Sequence, residues 1–218
     1  MKVDCSWMER VLHSKYTQSH NPVLPCITPP GWWECDVFSI TKAGYMHEFE
    51  IKVSRSDFRA DFKKSLSEYQ SARIRRPEGN SPFRNPDGTK VTAEEAKALM
   101  VPYTKHELLA EGYEKGPAYF WFCTPEGLLK PEDIPAYAGH IEVIDTNPDE
   151  DDVYPPPYRP SCMKVVKQAP KLHKQKFPDK YLKAIMKQIA YRYQDMYFTT
   201  RPQMIARHRR ELCASRNL

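Results

Sequence analysis

Apolar and polar positions alternate along two neighbouring stretches near the start of the chain, residues 33–41 and 45–53. Alternation with a period of two is typical of strands that bury one face. The connection between them, Lys42-Ala43-Gly44, ends in glycine, which suits a hairpin loop whose third residue is left-handed. The sequence therefore predicts an antiparallel hairpin.

Helical periodicity marks the segments on either side of this hairpin. Residues 6–16 predict a short helix in which Ser6 is the N-cap and Glu9 completes a capping box. A proline-rich connection then leads to the hairpin. Ser54 can cap a second helix over residues 54–73, whose buried stripe recurs at positions i, i+4 and i+8: Phe58, Phe62 and Leu66.

The middle of the chain predicts an exposed insertion followed by more strands. Residues 73–99 include a Pro-, Gly- and Asn-rich stretch typical of an exposed loop, and helical pattern resumes over residues 93–110. The apolar, aromatic run at 118–123 predicts a strand that is buried on both faces. Two further strands are expected at 138–144 and 163–167.

A helix is predicted after Pro178, because five apolar residues fall on one helical face: Tyr181, Leu182, Ile185, Ile189 and Tyr193. Pro202 ends that helix, and a second one is expected to continue to about residue 214.

This order of elements predicts an α/β fold, a mixed sheet flanked by helices. A length of 218 residues accommodates one sizeable core with an appended segment. We place the core at residues 1–168 and a basic helical C-terminal extension at residues 169–218.

Charge is distributed unevenly along the chain. The total is +5, but residues 163–218 carry 14 Lys and Arg against 3 Asp and Glu, so the remainder of the chain carries −6. A basic tail on an acidic body suggests a polyanionic partner, most often nucleic acid, although a solvated basic surface has the same composition.

Other compositional signals exclude several classes of protein. No apolar run reaches the ~18–20 residues needed to cross a bilayer, and the charged N-terminus does not resemble a signal peptide. We therefore expect a cytoplasmic protein without a membrane partner. Six scattered cysteines without a CxxC pair favour reduced thiols over a disulfide framework.

The hairpin gathers acidic residues on one face. In the second strand, Glu48, Glu50 and Lys52 share a face. With a three-residue loop, Asp36 lies directly opposite Glu50, which puts their Cβ atoms ~4.5–5.5 Å apart. Carboxylates at that distance repel unless one is protonated or a cation such as Mg²⁺ lies between them. A two-residue loop would instead put Asp36 on the opposite face from Glu50.

Asp36, the hairpin and Glu50-Ile51-Lys52 together resemble the D…(D/E)-x-K signature of the PD-(D/E)XK nuclease superfamily. The surrounding CDVFSI…HEFEIKVSRSDFRADFKK and the later FWFCTPEGLLKPEDIPAYAGHIEV resemble MmcB-type DNA-repair proteins and related phage-encoded nucleases. This resemblance covers residues 33–143 without the insertion. Cys35 stands where the signature has proline, and neither the insertion nor the basic C-terminal region has a counterpart.

The resemblance implies a restriction-endonuclease-like core and a metal-dependent deoxyribonuclease of phage DNA metabolism or bacterial DNA repair. Asp36 and Glu50, with the backbone carbonyl of Ile51, would hold Mg²⁺, for which Mn²⁺ could substitute. Lys52 would orient the attacking water or stabilise the charge that develops on the phosphate. Such a protein would work in the cytoplasm of a bacterial cell or of a phage-infected host.

Several accessory residues are candidates with an ordinary alternative. Glu48 shares the catalytic face, but its place near the start of the strand also suits a solvated side chain. Glu9 could supply a further acid or only cap its helix. Lys63 and Lys64 could reach phosphate or form a solvated helix face. For binding the DNA backbone we single out six basic residues: Lys180, Lys183, Lys187, Arg207, Arg209 and Arg210.

Two other functions stay open on the sequence. The chain could be a non-catalytic DNA-binding or partner-binding module on a nuclease fold, because a fold does not guarantee chemistry. It could also be an interaction protein whose basic C-terminal helices dock an acidic protein partner. The sequence leaves a homodimer open as well.

Overall fold

The computed structural model of this protein describes residues 4–67, 71, 84–85, 87–99, 101–144 and 163–200. The chain divides into two compact units, Met1–Phe177 and Pro178–Leu218. Residues 169–177, which the sequence assigned to the C-terminal extension, are part of the first unit. There Leu172 and Phe177 donate backbone hydrogen bonds to Ala118 and Gly44.

A six-stranded sheet forms the centre of the described part of the first unit, and its strands are ordered as they occur along the chain. The first three strands are antiparallel, the third to fifth are parallel, and the sixth is antiparallel to the fifth. The strands are β1 (His20–Ile27), β2 (Cys35–Thr41), β3 (Met46–Ile51), β4 (Tyr119–Pro125), β5 (Ala138–Val143) and β6 (Met163–Lys167).

Among the described residues, four α-helices belong to the first unit and one to the second. The former are α1 (Cys5–Tyr16), α2 (Arg55–Asp61), α3 (Ala93–Leu99) and α4 (Lys105–Ala110), and the latter is α5 (Leu182–Asp195). The predicted α/β class, a mixed sheet flanked by helices, is confirmed. Throughout the described part of the chain, the helices are too short or too polar to cross a membrane.

The N-terminal region differs from the sequence-based expectation in two ways. The proline-rich connection contains a strand, β1, which pairs only with β2 and therefore lies at an edge. Proline is tolerated there because an edge strand does not need every N–H in the ladder. The N-cap of α1 is Asp4 rather than Ser6, because the Asp4 carboxylate accepts a hydrogen bond from the Trp7 N–H at 2.8 Å.

The helices around the insertion are shorter than predicted. The expected helix over residues 54–73 ends at Asp61, after which the Leu66 N–H donates to the Tyr103 carbonyl at 2.7 Å. The expected helix over residues 93–110 is broken into α3 and α4, and Thr104 forms a capping box at the start of α4. A tertiary contact thus overrides helical periodicity on both sides of the insertion. Residues 72–83 and the second C-terminal helix lie outside the described residues.

The two faces of the sheet have different characters. One face packs against the apolar side of α1, where Trp7, Met8, Val11 and Leu12 are buried. The sheet residues of this core are Val23, Val37, Phe49, Ile51, Trp121, Cys123, Ile141 and Val143. Because side chains alternate along a strand, the neighbours of these residues point to the other face, and that face carries the charged cluster described next.

Candidate functional site

The hairpin sets the register that brings the two predicted acids together. Val37 pairs with Phe49 and Phe38 with Glu48, so continuing this register by one residue places Asp36 opposite Glu50. The loop has three residues, as predicted, and the Gly44 N–H donates to the Thr41 carbonyl at 2.8 Å. The alternative register, with the acids on opposite faces, is therefore wrong.

Glu50 is held between two buried lysines. Its Oε1 accepts a hydrogen bond from Lys52 Nζ at 2.8 Å, and its Oε2 accepts one from Lys105 Nζ at 2.7 Å. Lys52 directly follows β3, and Lys105 is the first residue of α4. The carboxylate of Glu50 is thus fixed in orientation from both sides.

A second carboxylate, Asp61, connects the two lysines. Its Oδ1 lies 3.0 Å from Lys52 Nζ, and its Oδ2 lies 3.4 Å from Lys105 Nζ. The same Oδ2 lies 2.8 Å from His106 Nε2, and the other ring nitrogen of His106 lies 2.8 Å from the Tyr137 hydroxyl. A chain of hydrogen bonds and ion pairs therefore runs from Tyr137 to Glu50 through His106, Asp61 and Lys52.

Glu48 belongs to this cluster and is not solvated, which corrects one of the two sequence-based readings of this residue. Its side chain is completely buried, and both of its oxygens lie 2.8 Å from the Trp33 indole N–H. Lys105 Nζ is 3.6 Å from its Oε1. Glu48 and Glu50 therefore share one lysine, and Trp33 supplies a neutral donor to Glu48.

Burial and mutual repulsion raise the pKa values of two of these acids. Burial, with the charge of Glu50, raises the pKa of Asp36 to about 6, even though the Ile51 N–H donates to its Oδ2 at 2.8 Å. Burial raises the pKa of Glu48 to about 8, opposed by the charge of Lys105. Negative charge on this face is therefore only partly compensated by the lysines.

The pKa values of Asp61 and of the two lysines shift in the direction that favours the charged forms. Burial by itself raises the pKa of Asp61, but the hydrogen bond with His106 and the two ammonium groups outweigh it and hold that pKa well below its usual range. Burial by itself lowers the pKa values of Lys52 and Lys105, but the neighbouring carboxylates together outweigh it and raise both: Glu50 and Asp61 at Lys52, and Glu50, Glu48 and Asp61 at Lys105. At neutral pH these three groups are charged.

The residues fit one divalent cation bound by two carboxylates. Within the ranges that the structure describes, no group of three or more His, Cys, Asp or Glu side chains is arranged to hold a metal ion. Mg²⁺, however, is usually bound by one or two carboxylates together with waters and substrate phosphates. A carboxylate oxygen has more than one lone pair, so the contacts of Glu50 with lysine do not exhaust its capacity. The raised pKa of Asp36 marks the position where a cation would relieve repulsion.

The other predicted accessory residues differ in how close they lie to the cluster. Lys64 Nζ lies 3.1 Å from Asp61 Oδ1, at the margin of the cluster. Lys63 is exposed and has no described contact with the cluster. Glu9 is on α1, which packs against the opposite face of the sheet, and it lines a groove beside β1. Lys180, Lys183 and Lys187 belong to the second unit, whereas Arg207, Arg209 and Arg210 lie outside the described residues.

Sequence reasoning missed five residues of the cluster: Trp33, Asp61, Lys105, His106 and Tyr137. Lys105 is 55 residues away from Glu50 along the chain, and an insertion lies between them, so no local pattern links the two. The one available signal was the position of Asp61, three residues after Phe58 on α2, which places it on the buried side of that helix.

Comparison with known proteins gives one structural similarity and no family or curated match. No family model matches the chain, and no curated protein does either. A solved structure from Silicibacter pomeroyi, of a protein of unknown function, is similar with a TM-score of 0.47 and 14% sequence identity. The match covers 92% of this chain and 96% of that one. A TM-score this low supports no conclusion about the fold or function of this chain.

Proposed function

We propose that this protein is a metal-dependent phosphodiesterase that hydrolyses DNA, built on a restriction-endonuclease-like core. The observation that carries the proposal is the juxtaposition of Asp36 and Glu50 across the hairpin, with Lys52 Nζ 2.8 Å from Glu50. In metal-assisted phosphodiester hydrolysis, two carboxylates can hold the metal ion and a lysine can stabilise the charge that develops on the phosphate.

The proposed core takes in the first elements of the first unit. Helix α1, the antiparallel strands β1 to β3, helix α2 and the parallel strand β4 follow one another in the first unit. We propose that this part of the chain corresponds to the endonuclease-like core, and that the insertion between α2 and α4 and the second unit are additions to it.

The cluster assigns a part to each residue. Asp36 and Glu50 would hold Mg²⁺, which when bound supplies polarisation of the phosphate and a lowered pKa of water. The backbone carbonyl of Ile51 remains the expected third ligand. Lys52 has three N–H donors; Glu50 and Asp61 lie 2.8 and 3.0 Å from its Nζ, whereas Asp57 Oδ1 is 4.0 Å away, beyond hydrogen-bond distance, so one donor remains for a phosphate oxygen. That donor would stabilise the negative charge that builds up during the reaction.

Lys105 and Asp61 are positioning residues in this proposal. Lys105 Nζ faces the carboxylates of Glu48, Glu50 and Asp61, which leaves no N–H for a substrate, so it acts through Glu50, whose carboxylate it orients. Asp61 holds Lys52 on one side and is itself held by His106 on the other. Fixed groups of this kind stabilise charge without reorganisation during the reaction.

Cleavage of labelled DNA tests the proposal. Linear duplex, branched and single-stranded substrates are incubated with Mg²⁺ or Mn²⁺, with EDTA as the metal-free control. We expect Asp36→Asn and Lys52→Gln to lower the cleavage rate at least about 100-fold, because each removes a group that acts on the phosphate. Lys97→Gln, on the exposed surface of α3, is the matched control and should leave the rate unchanged.

Circular dichroism and thermal unfolding of each variant separate loss of activity from loss of fold, because Lys52 is buried and ion-paired. Undiminished cleavage by folded Lys52→Gln would refute the role of this lysine. No cleavage of any of these substrates by the wild-type chain with either metal would refute the enzyme proposal as a whole.

One observation favours the non-catalytic alternative, a DNA-binding module on the same fold. Both oxygens of Glu50 already accept hydrogen bonds from lysines, so the site is partly neutralised without a metal. Isothermal titration with Mn²⁺ separates the two functions. An enzyme should bind about one ion and lose that binding in Asp36→Asn, whereas a module should bind DNA without binding the ion.

A further inference from the structure

One stripe of α5 combines positive charge with an aromatic ring. Lys183, Lys187 and Tyr191 recur at intervals of four residues, so they lie on successive turns of the same face of the helix. All three are exposed. Lys187 Nζ lies 5.6 Å from the centre of the Tyr191 ring, which places a cation and an aromatic surface at the same spot.

Exposed aromatic residues are unusually dense in this part of the chain. Residues 181–198 contain five Tyr or Phe, of which four are exposed and Tyr181 is half-buried, whereas aromatic residues make up 12% of the whole sequence. Tyr191 is 59% exposed and Phe198 is 72% exposed. Leaving large rings in water has a free-energy cost, so a group of them on one short segment marks a binding surface.

The charge of the second unit indicates the nature of the ligand. Residues 178–218 contain nine Lys or Arg and three Asp or Glu. A surface with this excess attracts polyanions, and a phosphate backbone provides the regular negative charge that matches a row of lysines.

We propose that α5 and the helical turn that follows it bind single-stranded nucleic acid, with bases stacked on Tyr191 of α5 and Phe198 of the turn and phosphates contacting Lys183 and Lys187. The flat faces of bases are accessible in a single strand, whereas in a duplex they are covered by neighbouring base pairs. Proteins that bind single strands combine cations along the backbone with aromatic stacking surfaces, and this stripe has both. The proposal deepens the proposed function, because it names single-stranded nucleic acid as the substrate class.

A different face of α5 is apolar and also exposed, with Leu182, Met186 and Ile189. By itself such a face would suit a membrane surface or an apolar partner. The lysine stripe is separate from it, and pairing of an ammonium group with a tyrosine ring on that stripe favours nucleic acid. Met186 therefore provides a control within the same helix.

Fluorescence anisotropy with the full-length protein tests this surface. The probes are a labelled 30-nucleotide single strand without self-complementarity and the duplex of the same sequence, both in EDTA so that nothing is cleaved. We expect the wild-type chain to bind the single strand more tightly than the duplex. Tyr191→Ala should weaken single-strand binding at least about fivefold, because one stacking contact is lost, and should change duplex binding less than about twofold.

Further variants identify the interaction. Tyr191→Phe should restore most of the affinity, because it keeps the ring. Met186→Ala should leave the affinity within about twofold of the wild type. Lys187→Gln should weaken binding and reduce the slope of log affinity against log salt by about 0.7, the value for one phosphate contact with a single strand.

Several results would overturn the proposal. These are equal affinity for the single strand and the duplex, an effect of Met186→Ala as large as that of Tyr191→Ala, or binding to vesicles of anionic phospholipid without binding to the oligonucleotide. The outcome is independent of the phosphodiesterase proposal. A chain that binds single strands in EDTA but never cleaves them supports this surface and refutes the enzyme, and cleavage without single-strand preference does the reverse.

Discussion

The ionised form of Asp36 is destabilised in the folded protein, because burial and the charge of Glu50 raise its pKa to about 6. In the unfolded chain the pKa of Asp36 has the ordinary aspartate value of 3.8. Between these two pH values the folded state binds the proton more tightly, so stability falls as the pH rises. This loss of folding stability is complete above about pH 6 and absent below about pH 4.

We therefore expect Asp36→Asn to be more stable than the wild type at pH 7 without divalent ions. The gain should be about 1–2 kcal/mol, because Asp36 is only partly buried, and it should vanish near pH 4. Urea unfolding at pH 4 and pH 7 in EDTA measures it, and Glu94→Gln on the exposed surface of α3 is the control. A variant that is less stable than the wild type at pH 7 would contradict the electrostatic account of Asp36.

At the scale of residues, the sequence predicted the groups that share a strand or a hairpin. Asp36, Glu50 and Lys52 follow from the alternation of side chains and from the length of the loop. Lys105 and His106 could not be predicted in this way, because they reach the cluster from α4 through tertiary packing. Long-range contacts of this kind leave no periodic signal in a single sequence.

At the scale of elements, the hairpin between β2 and β3 determines whether the site exists. Gly44 adopts a φ of 86°, the left-handed region that a residue with a Cβ atom enters only with strain. The alternation of buried and polar side chains on both strands also specifies the register, because a shift by one residue would turn each strand over.

Gly44→Ala should accordingly lower the free energy of unfolding by about 1–2 kcal/mol, the cost of a left-handed conformation. The cleavage rate per folded molecule should stay the same, because the strand pairing retains its register. Thermal unfolding combined with a cleavage assay measures both quantities, and Ala43→Ser in the same loop is the control. A large loss of activity in folded Gly44→Ala would show that the loop alone sets the register.

Elements were predicted well where local pattern and tertiary environment agree. Strand β4 is buried on both faces as its apolar run indicates. The hairpin forms as predicted, but β3 is buried on both faces rather than on one, because its polar side chains lie in the charged cluster. Strand β1 was missed because its prolines suggested a loop, and only pairing with β2 makes it a strand. Helix α2 was predicted to be too long because its apolar repeat continues past Asp61, where the backbone turns to meet Tyr103.

At the scale of the whole molecule, two neutral histidines make the fold sensitive to acid. Burial, with the nearby charge of His20, lowers the pKa of His47 to about 3, and burial lowers that of His20. The Trp121 indole N–H donates to His47 Nδ1 at 3.1 Å, so the unprotonated ring is the one that fits. The unfolded state binds more protons below the ordinary value of 6.5, and stability therefore falls as the pH drops.

His47→Gln should lose less stability than the wild type when the pH is lowered from 7 to 5. The removal of one buried titrating group reduces the slope by up to about 1.4 kcal/mol per pH unit. The variant will be less stable at pH 7, because the ring packs against Tyr119 and Trp121, so the comparison is between the two pH-dependent losses. Equal losses in urea unfolding would show that His47 is protonated in the native protein.

The backbone closes the base of the insertion between α2 and α4. Ser65 pairs with Thr104, and the adjacent Leu66 donates to Tyr103 at 2.7 Å, so the chain leaves and re-enters the core at one point. Asp61 precedes this backbone pairing along the chain and Lys105 follows it. Their contact therefore does not depend on the length of the inserted segment. Because closing a longer loop costs little additional entropy, this junction can accommodate segments of very different size. The cluster could therefore keep its geometry while the inserted segment is lengthened or replaced.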